Sequence, residues 1–133
     1  TCALPIWFAD AMGSHPDKGK DKGADAAKVA AARQSLERYY QAQCLRDETM
    51  GESIAQAYEI ASIGGKHPLV VHFNGAFHSD FTQGTAERAK RRLPGKRVVV
   101  ITMLPVANLD TVVPDKKERK RADYLVYTLK DKK

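Results

Sequence analysis

Between Ala26 and Ala61 the apolar positions recur at three- and four-residue steps. Leu36, Tyr40, Cys44, Met50, Ile54, Tyr58 and Ala61 fall on one stripe, which predicts a helix with a single buried face. Asp47 lies on the same stripe, where a carboxylate must be paired or hydrogen-bonded. Either the helix breaks near Arg46 to Glu48 with Asp47 capping its second piece, or Arg46 and Asp47 point into a polar site. Gly64-Gly65 predicts the end of the helix. The pattern then changes. "PLVVHF" (68 to 73) reads as a strand from its β-branched content, and residues 84 to 93 return to helical spacing until Pro94-Gly95. "RVVVITML" (97 to 104) is a continuous apolar run, expected to be a strand buried on both faces. "ADYLVYTL" (122 to 129) reads as a third strand at a sheet edge, since charges flank it. Strand, helix, strand in this order predicts a βαβ unit with parallel strands and a right-handed crossover. The expected fold class is therefore α/β. We expect part of a three-layer fold, with a mainly parallel sheet of the βαβ unit plus an edge strand packed on a long helix with a potential break.

Composition narrows this modestly. The 133 residues, 43% hydrophobic, suit one domain or part of a larger one. The apolar run Val98 to Ala107 is too short to cross a bilayer core of ~30 Å. The net charge of +6 is clustered at Lys18, Lys20 and Lys22, at Arg88 to Arg97, at Lys116 to Arg121 and at Lys132-Lys133. Such clusters either face solvent or bind phosphates, anionic lipid or ligand carboxylates. No zinc-finger, RRM or KH signature accompanies them, so no nucleic-acid partner is expected. Cys2 and Cys44 lack metal-site or redox spacing; Cys44 reads as a small core residue. Residues 13 to 25, rich in Gly, Lys and Asp, read as a loop. The organisation expected is a non-native or disordered segment at 1–25 followed by a folded part at 26–130.

The chemistry concentrates in "VVHFNGAFHSD" (70 to 80). The strand ends at Gly75, and His78 follows in the turn beyond its carboxyl end, where open parallel sheets bind ligands. Gly75 is expected to permit that turn. Ser79 and Asp80 could hold the imidazole and fix its tautomer; Asp80 could equally cap the next helix. His78 is then either a site residue or the polar end of a buried strand. His72, within the strand, reads as a satisfied core histidine.

Three segments, "AQCLRDETMGESIA" (42 to 55), "VVHFNGAFHSDFTQGTAERAKRRLPGKRVVVI" (70 to 101) and "ADYLVYT" (122 to 128), together resemble the ChaN-like haem-binding lipoprotein family of the Tiki/TraB/erythromycin-esterase-like superfamily. The resemblance covers roughly residues 28 to 129. It implies an α/β fold of two related halves around one cleft and haem binding in bacterial iron uptake at the cell envelope. Gly75-Ala76-Phe77-His78 matches the second Gly-x-x-His motif of the superfamily, and Arg46 matches its arginine. The first such motif has no counterpart, so the chain resembles only the later half of the family's domain.

On that resemblance the expected cofactor is haem, with Tyr39, Tyr40, His78 and Met50 as the ligand types, Asp47 and Asp80 beside them, and Arg46 or Arg91-Arg92 for the propionates. A homodimer of the full-length protein is a possible partner arrangement, and membrane association would come only through a lipid anchor outside this chain. The alternative is a metal-dependent hydrolase using His78. Its difficulty is ligand count, because a catalytic zinc usually has three protein ligands. Thr1 to Ile6 resemble the translated end of a sequencing adaptor and are expected not to be native. An apolar sheet face left without cover is expected as well.

Overall fold

The structure, a computed structural model, describes residues 26–130; the expectation for 1–25 lies outside them. The chain divides into two compact units between Arg46 and Asp47. Helix α1 (Ala26–Ala61) is continuous, so the expected break near Arg46 to Glu48 is absent. A break would have let Asp47 cap a helix; its carboxylate is satisfied instead by tertiary partners. The apolar stripe holds. Leu36, Cys44 and Asp47 are buried, Tyr40, Met50, Ile54 and Tyr58 are half-buried, and only Ala61, at the end of the helix, is exposed.

In the second unit two short 3-10 turns, Ala76–His78 and Asp80–Thr82, lead into helix α2 (Gly84–Arg92). Strands β1 (Ile101–Val106) and β2 (Tyr124–Leu129) follow, with a third 3-10 turn, Glu118–Lys120, between them. The fold is α/β, and its sheet is parallel. β1 pairs with β2 in the register Ile101 to Tyr124 and Met103 to Val126.

Two expectations about the sheet need correction. The "PLVVHF" run pairs with no strand among the described residues, so the βαβ unit is not formed; the parallel neighbour of β1 is β2. β-branched content expresses a preference for a pleated, half-buried surface, and a strand also needs a neighbour's backbone hydrogen bonds. Nor is the second strand buried on both faces. Val100 and Thr102 are buried, whereas Ile101 and Met103 are about 60% exposed. Tyr124 and Val126 lie opposite them and are also exposed. Leu69, Val71 and Phe73 are exposed too.

The core of this unit is small: Ala55, Ala86, Ala89, Leu93 and Val100. Gly51 explains how two helices can close on so little side-chain volume. A Cβ at Gly51 would lie 2.7 Å from the Arg88 Cβ and 3.2 Å from the Ala89 nitrogen. α1 and α2 therefore touch nearly backbone to backbone, which only glycine permits.

Candidate functional site

His78 closes the first 3-10 turn and is buried. Its Nδ1–H donates to Asp47 Oδ1 at 2.7 Å. Thr85 Oγ1, in the first turn of α2, donates to the same oxygen at 2.8 Å. All three side chains are buried. A carboxylate at the start of α2 also meets the positive end of the helix dipole. The pair fixes the imidazole: with Nδ1 carrying the shared proton, the neutral ring presents a lone pair at Nε2. Nε2 makes no hydrogen bond among the described residues. The Phe77 ring leans on the imidazole, with centroids 3.9 Å apart.

The turn is held from behind. Asp80 is buried and accepts from Thr102 Oγ1 on β1 at 2.8 Å and from Arg121 Nε. The Phe81 N–H donates to the Arg121 carbonyl at 2.6 Å. Phe81 and Thr82 both have positive φ, 59° and 57°, a conformation that costs a side-chain-bearing residue on the order of 1–3 kcal/mol. The buried Asp80–Arg121–Thr102 contacts hold the chain in this shape between His78 and α2.

Neither Ser79 nor Asp80 holds the imidazole, as the sequence suggested. The strained turn sends Asp80 toward the sheet, leaving Asp47 to reach His78. Nor does Asp80 cap α2, whose N-cap is Gln83. Gly75 was also over-read: its φ of −63° and ψ of 140° are open to any residue. The glycine the site requires is Gly84. Its φ is +55°, and a Cβ there would run into the His78 carbonyl and come within 3.1 Å of Asp47 Oδ2. Gly84 and Gly51 were both missed, because close approach between segments distant in sequence leaves no periodic signal.

Beside Asp47, Glu48 gathers three arginines of α2. Arg88 Nε donates to Oε1 at 2.7 Å, Arg91 Nη2 to Oε1 at 3.0 Å and Arg92 Nη2 to Oε2 at 2.6 Å. The Arg92 hydrogen bond is the main cause holding the Glu48 carboxyl at about 2, down from 4.5; partial burial pushes the other way, and Arg91 and Arg88 add to the lowering. Arg91 and Arg92, expected to meet propionates, are thus engaged with Glu48.

The remaining candidates are not assembled with His78. Arg46, Tyr39 and Tyr40 belong to the other compact unit; Arg46 and Tyr39 are exposed and Tyr40 is half-buried. Met50 is half-buried on α1. Among the described residues no group of three or more His, Cys, Asp or Glu is placed to hold a metal ion, and no helix is long and apolar enough to cross a membrane.

A cavity of about 470 Å³ lies against the cluster, bordered by Ser79 and Thr85. Its walls are predominantly apolar and come from α1, α2, residues 68–72 and residues 96–101. His72, read from sequence as a core histidine, is exposed and lines it. The "PLVVHF" run and the approach to β1 face each other across this space instead of pairing.

No curated protein and no solved structure matches the chain. A family model described as haem-binding uptake, Tiki superfamily, ChaN matches residues 7–89, more than half of the chain, and takes in Asp47, His78, Asp80 and Thr85. The chain belongs to the ChaN family of haem-binding uptake proteins within the Tiki superfamily.

Proposed function

We propose that this chain binds haem in bacterial haem uptake at the cell envelope, with His78 Nε2 as the nitrogen that meets the iron. The observation that carries the reading is the buried Asp47–His78 pair. A histidine that ligates a metal characteristically donates its other ring N–H to a carboxylate, which sets ring orientation and tautomer and makes the ligating nitrogen more basic. Asp47 does this for Nδ1, and Thr85 holds Asp47 in turn. The residues present therefore fit an iron ligand. An apolar cavity beside the cluster fits a large flat ring, and its volume lies within the ~300–1,000 Å³ of small-molecule sites. Haem supplies an iron that accepts the imidazole; the chain's own part is to orient His78 and to keep the ring dry.

Haem titration followed by absorbance tests this. We expect a saturable Soret shift in the wild-type chain that is weakened at least ~10-fold in His78→Ala, in line with the loss of an axial ligand. An unchanged band and affinity in His78→Ala would remove His78 from the site. Hydrolytic activity abolished by a chelator, without any Soret shift, would favour the metal-dependent hydrolase instead.

A further inference from the structure

The cations available to a ligand in the cavity are not those the sequence suggested. Arg88, Arg91 and Arg92 share Glu48, and Arg121 is paired with Asp80. Lys96 and Arg97 line the cavity, and among the described residues neither is paired with a carboxylate. Lys96 Nζ stands 5.4 Å from the ring centroid of Tyr58, which lines the same cavity. That contact localises the ammonium by cation–π attraction while leaving its N–H groups free to donate. A mostly apolar cavity with two unneutralised cations on its wall suits a ligand that is largely apolar and carries anionic groups at one edge.

We propose that Lys96 and Arg97 are the residues that read the ligand's carboxylates, and that the cavity takes a porphyrin-class dicarboxylate with its acid edge toward them. This rests on the haem-binding reading and adds to it a polarity for the bound ring and a determinant of specificity. The apolar body of the ring lies along the walls supplied by α1 and α2. Binding then depends on the acid groups as well as on the ring.

Metal-free protoporphyrin and its dimethyl ester provide the test, with binding to the wild-type chain measured by porphyrin fluorescence. Metal-free porphyrin has no iron for His78, so the result is read independently of iron ligation. We expect the diacid to bind at least ~10-fold more tightly than the ester, the range for a charge-assisted hydrogen bond. The double variant Lys96→Gln, Arg97→Gln is expected to bind diacid and ester alike, with an unchanged far-UV circular dichroism spectrum. The wild-type comparison stands without any variant. Equal affinity of the wild type for diacid and ester, or full discrimination retained in the double variant, overturns the proposal. So does displacement of the porphyrin by a straight-chain fatty acid that binds more tightly with the same dependence on Lys96 and Arg97, since the cavity would then suit an acyl chain.

Discussion

Asp47 and His78 meet at 2.7 Å although 31 positions separate them in the chain. One belongs to a helix and the other to a turn, and Thr85 completes the contact from a second helix. Asp47→Ala should therefore disturb both binding and folding. It leaves the His78 Nδ1–H and the Thr85 hydroxyl without their acceptor, at a cost of roughly 1–3 kcal/mol. Thermal unfolding reads the stability, and the Soret position in Asp47→Asn reads the loss of charge at the histidine. An unchanged spectrum in Asp47→Asn would show that the carboxylate does not tune the ring.

Gly84→Ala should be among the most damaging small changes. The new Cβ faces a φ of +55° and meets the His78 carbonyl and Asp47 Oδ2, so we expect a loss of more than ~1 kcal/mol. Haem binding should weaken in parallel, because the same collision displaces His78. Normal stability would mean that α2 can shift at little cost.

At Gly51 the effect should be on packing alone. Alanine there brings its Cβ to 2.7 Å from the Arg88 Cβ. Forcing the helices apart should cost about 1–3 kcal/mol, the usual penalty of overpacking. Denaturant unfolding of Gly51→Ala against Ser53→Ala, an exposed position one turn away from the contact, isolates the contribution of the close approach.

Acid should loosen the contact between α1 and α2. The Glu48 carboxyl titrates at about 2 in the folded chain against 4.5 ordinarily. A depressed carboxyl contributes stability that is fully present above the unfolded value and lost as pH falls through the folded one. The window is therefore from about 4.5 down to about 2. Glu48 is partly exposed, so solvent and salt reduce the size of the effect. In Glu48→Gln the melting temperature should fall less steeply across that window than in the wild type; superimposable acid limbs would contradict the assignment.

Arg121→Ala should release the turn that carries His78. Asp80 would keep Thr102 but lose its charged partner while still buried, which should cost about 2 kcal/mol, within the range for hydrogen bonds to charged groups. Amide exchange at Phe81, whose N–H bonds the Arg121 carbonyl, should rise ahead of exchange in α2. Uniform exchange across both would mean that the turn has no independent support there.

Periodicity by itself determined the helices, because a helix satisfies its backbone within one segment and writes its buried face into residue spacing. The stripe through Leu36, Cys44 and Met50, the stop before Gly64-Gly65 and the short helix ending at Pro94-Gly95 were all legible. So was the local motif that makes His78 a candidate, together with the awkward position of Asp47 on an apolar face. What the sequence could not contain was the partner of each polar group. Ser79 and Asp80 are His78's neighbours in the chain, yet Asp47 holds the ring, because direction in space follows from the left-handed Phe81-Thr82 turn and the crossing of α1 over α2 at Gly51. Strand pairing was decided the same way. The "PLVVHF" run has the residues of a strand, but its hydrogen bonds must come from another segment, and β1 pairs with β2. Spacing along a chain encodes what a segment can bury; which distant segment arrives to meet it is settled only when the whole fold closes.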